Sequence, residues 1–161
     1  MGAHAQGHRG APRIAVARDL DVVRELFREY GDSLEEHRQY LVGFDDEVER
    51  LPDGYDVILV AGGEGCVALR RLDERACEMK RLYVRPAARG SGTGRGLVAA
   101  AIEHARGRGY EVMRLDTLPA MAEAATLYGS LGFVETDRYN DNPAPGVRFM
   151  ELDLRPPRTG T

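Results

Sequence analysis

The chain has 161 residues, a formal net charge of −4 and 43% apolar residues, enough for one hydrophobic core. The negative charge argues against nucleic acid as a partner, because proteins that bind a nucleic-acid backbone normally carry a concentrated basic face. The longest apolar run, residues 97–102, is too short to cross a bilayer, and no apolar signal segment follows the N-terminus, so we expect no membrane partner and a cytoplasmic protein.

The order of the predicted helices and strands indicates one α/β domain over residues 13–155. A Gly/Ala-rich lead at residues 1–12 is expected to be disordered, and residues 156–161 are expected to form a flexible tail. The two histidines of the lead, His4 and His8, are assigned no role.

The first half of the domain is predicted to contain two helices and then three strands. Ser33 and Glu36 form a capping-box pattern, which favours a helix start there. From Tyr55 onward the hydrophobic period changes to two, which predicts an antiparallel meander. The elements are, in chain order, a strand at residues 13–17, a helix capped by Asp19, a helix from Ser33 toward Leu51, and strands at residues 56–61, 66–72 and 76–84.

The second half alternates helices and strands. Strand, helix and strand in succession imply a crossover and therefore a parallel pair at the centre of the sheet, with helices on both faces. The sequence thus predicts a mixed central sheet that begins as an antiparallel meander. The elements are a helix that ends at residues 107–109, a strand at Val112–Thr117, a helix opened by Pro119 and ended by Gly132, and strands at residues 133–138 and 147–154.

The two cysteines, Cys66 and Cys77, lack the spacing of a metal site and have no matched histidine pair. We therefore predict buried thiols and no bound metal.

A glycine-rich segment, "RPAARGSGTGRGL" at residues 85–97, lies between a predicted strand and a predicted helix. Such a turn presents backbone N–H groups at the positive end of the helix dipole, which favours phosphate binding. The segment has no lysine, so it is not a P-loop, and the third glycine of a dinucleotide fingerprint would fall on Arg95 or Leu97. A nucleotide-binding kinase is therefore disfavoured.

Two motifs resemble the GNAT superfamily of N-acetyltransferases. Residues 89–94, "RGSGTG", fit [Q/R]-x-x-G-x-[G/A], and residues 124–133, "AATLYGSLGF", resemble A-x-x-L-Y-x-x-x-G-F. The resemblance implies that the fourth and fifth strands splay apart and that acetyl-CoA binds as acetyl donor between them, with its pyrophosphate on the glycine segment. The implied cofactor-binding residues are Leu82, Tyr83, Val84, Arg89, Gly90, Ser91, Gly92, Thr93, Gly94 and Arg95, although Arg95 also fits a solvated surface position.

The resemblance also implies catalytic roles. Tyr128 matches the family tyrosine that protonates or anchors the CoA thiol. Glu78 lies eleven residues before Arg89, the interval of the catalytic glutamate in histone-type members, and would act through water. Asp116 is a second candidate base, and a salt bridge to Lys80 or Arg81 is the alternative role of Glu78. Many relatives carry a pantetheine-binding asparagine where this chain has Met121, so no such contact is assigned.

The resemblance implies direct transfer in a ternary complex to a primary amine, either a small molecule or a peptide. Residues 19–53 contain twelve Asp or Glu against four Arg and no Lys, which would suit a cationic amine. The candidate acceptor-wall residues are Tyr30, His37, Tyr139 and Asn142. A CoA-binding sensor or inactive regulatory domain is the alternative, and retention of Glu78 and Tyr128 disfavours it. A homodimer is left open.

Overall fold

The structure is a computed structural model that describes residues 13–157. The predicted lead at residues 1–12, with His4 and His8, and residues 158–161 of the predicted tail lie outside the described residues. The strands are β1 Ile14–Val16, β2 Val57–Ala61, β3 Gly65–Arg71, β4 Ala76–Val84, β5 Val112–Thr117, β6 Val134–Thr136 and β7 Arg148–Asp153. The α-helices are α1 Leu20–Ser33, α2 Phe44–Glu49, α3 Thr93–Gly107 and α4 Ala122–Ser130.

All seven strands form one sheet in the order β1-β2-β3-β4-β5-β7-β6. Strands β1 to β4 pair as an antiparallel meander, β4 and β5 pair in parallel across the α3 crossover, and β7 pairs antiparallel with both β5 and β6. The predicted mixed sheet with a parallel pair at its centre is confirmed.

Helices cover both faces of the sheet, as predicted. On one face, α3 and α4 pack against the strands with Leu97 and Tyr128; on the other, α1 and α2 pack with Phe27 and Phe44. Successive residues of β3 are buried on opposite faces, which is expected for a strand in the middle of a covered sheet. No helix within residues 13–157 is long and apolar enough to span a membrane.

The predicted single helix from Ser33 toward Leu51 is wrong. Ser33 ends α1, and its hydroxyl donates to the Tyr30 carbonyl at 2.6 Å instead of capping a new helix. A 3₁₀-helix at Glu35–Tyr40 and the six-residue α2 replace the predicted helix, because Gly43 between them has a left-handed φ of 73°. The strand predicted at residues 133–138 is also shorter in the structure, because only residues 134–136, which form β6, pair with β7.

The parallel pair opens after three residue pairs. Pairing of β4 with β5 covers Ala76 with Val112 through Glu78 with Arg114, and beyond these positions β4 pairs only with β3 and β5 only with β7. A bulge in β4, with Arg81 at φ 61°, lies just past this point. We call the opening between residues 79–84 of β4 and residues 115–117 of β5 the gap.

Candidate active site

The glycine segment lies at one end of the gap, and its glycines serve different purposes. Gly90 and Gly92 have φ angles of 82° and 84° with open space where a Cβ would lie, so their backbone conformation requires glycine. Gly96 instead allows α3 to approach β1, because a Cβ there would lie 2.9 Å from Ile14 Cδ1.

The N-terminus of α3 has no side-chain cap. Gly92 is the N-cap residue, and the first main-chain hydrogen bond into the helix is from the Gly96 N–H to the Gly92 carbonyl at 2.9 Å. The N–H groups of Thr93, Gly94 and Arg95 therefore have no helical acceptor and lie at the positive end of the helix dipole. This end of a fifteen-residue helix is suited to bind an anion.

The other residues of the segment fix its shape and add charge. The Ser91 hydroxyl donates to the Ala88 carbonyl at 2.6 Å and lies 2.8 Å from the Thr93 hydroxyl. Arg89 Nε donates to the Val84 carbonyl at 3.1 Å, whereas Arg95 Nη2 donates to the Ser130 hydroxyl on α4 at 2.7 Å. The two arginines thus contact different elements, β4 and α4.

The predicted pantetheine-binding residues lie on the part of β4 that has separated from β5. Leu82 and Val84 pack beside the core under α3, while Tyr83 faces the α1 side, where its hydroxyl donates to Glu29 at 3.3 Å. Predicted residues from two sequence segments, 82–84 and 89–94, are thereby brought to one side of the gap.

Tyr128 lies on α4 with 6% of its surface exposed, and its ring packs 5.7 Å from that of Phe133. Burial raises the pKa of Tyr128, and the charges of Tyr30 and Asp116 add to this effect. The hydroxyl therefore keeps its proton well above neutral pH and can act as a hydrogen-bond donor.

Glu78 is fully buried at the closed end of the gap. Arg70 Nε donates to its Oε1 at 2.6 Å, and Lys80 Nζ lies 3.7 Å from the same oxygen. The Tyr139 hydroxyl donates to its Oε2 at 2.6 Å, and burial together with the Glu78 charge raises the pKa of Tyr139. Glu78 thus makes the anticipated contact with Lys80, whereas Arg81 pairs with Glu47 instead.

A single side-chain amide bridges the two candidate bases. Asn140 Nδ2 donates to Glu78 Oε2 at 3.3 Å and to Asp116 Oδ2 at 2.8 Å, and Asn142 Nδ2 donates to the same Asp116 oxygen at 3.2 Å. Arg138 binds the carbonyls of both asparagines, at 3.2 and 2.8 Å. The loop between β6 and β7 is therefore fixed over the gap by carboxylates from β4 and β5.

Tyr139 and Asn142 were predicted from the sequence as site residues, whereas Asn140 and Arg70 were not. These contacts join residues up to 62 positions apart, so local patterns did not indicate them. The only sequence signal for Asn140 was its place in "YNDNPAPG", a segment rich in turn-forming residues.

Arg81 of β4 binds to the wall formed by α1 and α2. Its guanidinium makes two hydrogen bonds to Glu47, at 2.9 and 3.0 Å, and lies 5.5 Å from the centre of the Tyr30 ring and 5.1 Å from that of Phe44. The other wall candidate, His37, lies against Tyr40 in the 3₁₀-helix.

The acidic excess of residues 19–53 is only partly offset by ion pairs. Seven of its twelve carboxylates form ion pairs with arginines, including two with Arg85 of β4–α3 and one with Arg81. Arg24, Arg38 and Arg50 belong to the segment itself, so only Arg81 and Arg85 add positive charge from outside and most of the acidic excess is retained.

Within residues 13–157 no group of three or more His, Cys, Asp and Glu side chains is arranged to hold a metal ion. Cys66 and Cys77 are both free and buried, and burial raises the pKa of each thiol to about 12.

The fold of this chain aligns with solved structures that are described as acyltransferases. A protein from Klebsiella pneumoniae described as an acyl-CoA N-acyltransferase aligns with a TM-score of 0.71 and 27% identity over 89% of this chain and 98% of its own. An acetyltransferase from Salmonella typhimurium, solved with its cofactor acetyl-CoA, aligns with a TM-score of 0.65 and 23% identity over 93% and 98%.

The sequence comparisons agree with the fold. Residues 53–135 match the Acetyltransferase (GNAT) domain family. An uncharacterised N-acetyltransferase of Schizosaccharomyces pombe is 37% identical over 153 residues, which cover 88% of this chain and 92% of the relative. The chain belongs to the GNAT family of acetyltransferases.

Proposed function

We propose that the protein transfers the acetyl group of acetyl-CoA to a primary amine, directly and within a ternary complex. The observation that carries the proposal is the uncapped N-terminus of α3 beside the open edge of β4, since the two together suit a ligand with a pyrophosphate and an amide-containing arm. The acetyl-CoA held by the Salmonella protein of the same fold supports this choice.

The residues of the chain fit acetyl-CoA along its length. The free N–H groups of residues 93–95, with Arg89 and Arg95 on either side, would hold the pyrophosphate. The main chain of Leu82–Val84 would pair with the pantetheine arm in place of the missing β5 neighbour.

Tyr128 would donate a proton to the thiolate as it leaves. Burial raises the pKa of Tyr128, so its hydroxyl is protonated at neutral pH and can donate a hydrogen bond to the departing sulfur, whose thiol has a pKa near 8.5.

Asp116 and Glu78 are both proposed as bases for the amine. Both oxygens of Glu78 already have donors, Arg70 on one and Tyr139 on the other. The donors to Asp116 both contact Oδ2, which leaves Oδ1 without a donor among the described residues. The geometry therefore favours Asp116 for direct proton transfer, and gives Glu78 access only through an intervening water or a moved donor.

The acceptor is proposed to be a small-molecule or peptide amine. The partly buried charges around the gap are balanced, with Arg70, Lys80 and Arg81 opposite Glu47, Glu78 and Asp116. An amine panel should therefore include anionic as well as cationic members. A cytoplasmic location is the sequence-based expectation, and a homodimer is left open.

Two measurements test the proposal. Calorimetry should detect acetyl-CoA binding, and thiol release in the presence of an amine panel should detect turnover. Binding without turnover on any amine would favour the CoA-binding sensor, and absence of binding would contradict both functions.

A further inference from the structure

Lys80 is the only lysine in the sequence, and the fold places it in the gap. Its side chain is 17% exposed, and its ammonium lies 3.7 Å from Glu78 Oε1. Every other strongly basic side chain is an arginine, which cannot accept an acetyl group in the same way because its guanidinium remains protonated.

With the pyrophosphate at residues 93–95 and the arm along Leu82–Val84, the acetyl end of the donor would lie near Leu82, next to Lys80. Lys80 directly precedes the β4 bulge at Arg81, and the edge proposed to bind the pantetheine arm begins at Leu82. Two residues of strand span about 7 Å, which is comparable with the reach of the four-carbon lysine stem.

Charged groups from several elements surround the lysine amine. Burial, followed by the charge of Arg81, lowers the pKa of Lys80, and Arg70 on β3 acts in the same direction. Glu78 on β4 and Asp116 on β5 act in the opposite direction. The net lowering means that more of this amine is neutral, and therefore nucleophilic, than in an exposed lysine.

We propose that Lys80 is an intramolecular acetyl acceptor, modified when the donor is bound and no amine occupies the acceptor site. This inference rests on the proposed function. Lys80 Nζ forms a bond to the acetyl carbonyl carbon as the thioester C–S bond breaks. Tyr128 gives its proton to the departing CoA sulfur, and the proton lost by Nζ passes to Asp116 and returns through solvent to Tyr128. The products are N-acetylated Lys80 and CoA thiol.

Acetylation of Lys80 would also change the acceptor site. The amide has no charge, so it removes the ammonium that faces Glu78, while Arg70 remains paired with that carboxylate. The added group would occupy space beside the proposed acetyl position. Turnover of an external amine should consequently fall as the modified fraction rises.

The test is incubation of the purified full chain with acetyl-CoA and no amine, followed by intact mass spectrometry and peptide mapping. We expect one acetyl group per chain, on Lys80. The first-order rate constant should saturate with acetyl-CoA at the dissociation constant measured by calorimetry, and should not depend on protein concentration. It should rise with pH and level off below about 10.4, the ordinary lysine pKa. The α-amino group, the only other amine, serves as the internal reference.

Three variants separate this route from chemical acetylation. Lys80→Arg should remove the modification, Tyr128→Phe should slow it, and Gly92→Ala should slow it in proportion to lost acetyl-CoA affinity. Chemical acetylation would instead increase linearly with acetyl-CoA and proceed equally in urea-unfolded protein.

The outcomes also separate this inference from the proposed function. A chain that binds acetyl-CoA and acetylates a panel amine, yet modifies Lys80 no faster than the α-amino group, overturns the inference and leaves the function intact. Absence of acetyl-CoA binding by calorimetry overturns both.

Discussion

The hydroxyl of Tyr128 is the one polar group that α4 contributes to the core cluster beside the gap. Tyr128→Phe removes it and keeps the ring that packs on Phe133. If Tyr128 is the general acid, we expect kcat to fall about 10²- to 10⁴-fold with little change in Tm. If it only anchors the thiol, the loss should be about 0.5 to 1.5 kcal/mol of transition-state stabilisation.

Tyr110→Phe is the matched control for this variant. Tyr110 packs against the same core cluster, and its hydroxyl donates to Asp56 away from the gap. Steady-state turnover should be unchanged in Tyr110→Phe. Equal rate losses in the two variants, or a loss in Tyr128→Phe explained by unfolding, would assign Tyr128 to packing.

The two candidate bases can be distinguished by their amide variants. Asp116→Asn keeps an oxygen that can accept from Asn140 and Asn142, so we expect a nearly unchanged Tm. Its turnover should fall most at neutral pH and less at high pH, where more of the acceptor amine is already deprotonated. The pH dependence of kcat/KM measures this difference.

Glu78→Gln should behave differently. Its amide would place an N–H₂ group against either Arg70 Nε or Asn140 Nδ2, both of which can only donate, so a lower Tm is expected. Equal activity losses at every pH would make Glu78 a structural residue. A loss concentrated at neutral pH, larger than that of Asp116→Asn, would instead assign the base to Glu78.

The start of α3 can be tested with two glycines of the same conformation. Gly92 and Gly109 both have a φ of 84° and open surroundings, at opposite ends of the helix. Alanine at either position should cost about 1 to 2 kcal/mol of stability through backbone strain. Only Gly92→Ala should also weaken acetyl-CoA binding in calorimetry. Equal affinities in the two variants would show that the glycine segment does not bind the cofactor.

Helix α2 has only six residues and cannot be stable alone, so its attachment to β4 matters. Arg81→Ala leaves Glu47 partly buried without its partner, and we expect a loss of about 3 to 5 kcal/mol in the free energy of unfolding. Denaturant unfolding measures this loss. The exposed pair between Arg50 and Asp46 is the control, and Arg50→Ala should change stability little. Similar effects of both variants would contradict a specific role for Arg81.

Sequence patterns predicted elements well where one local signal dominated. Alternation of apolar and polar residues predicted β2 to β4, and glycines predicted both ends of α3. The error at residues 33–51 arose because Ser33 can cap a new helix or bond back to the preceding turn, and tertiary packing of Phe44 and Val48 selected the second arrangement. The bridge from Asn140 to Glu78 and Asp116 was not predictable, because it forms only after the sheet brings three distant segments together.

Ligand binding across the gap should stabilise the entire fold. If acetyl-CoA binds only the native state, a concentration of 100 times the dissociation constant should add about 2.7 kcal/mol to the free energy of unfolding. Thermal unfolding should show the corresponding rise in Tm, and hydrogen exchange should slow at Leu82–Val84, where the arm would pair. Gly92→Ala at the same ligand concentration should show a smaller rise. A Tm rise without protection of residues 82–84 would place the ligand elsewhere.

The bulge at Arg81 has a consequence for the behaviour of many copies of the chain in solution. An unpaired strand edge is a template on which other chains can aggregate. The bulge interrupts the regular edge of β4, so only Leu82–Val84 continues beyond it. Strands commonly have about five to six residues. An edge of three residues is therefore too short for a strand of another chain to pair with it stably. The protein can therefore keep an opening inside its sheet and still resist self-association through that opening.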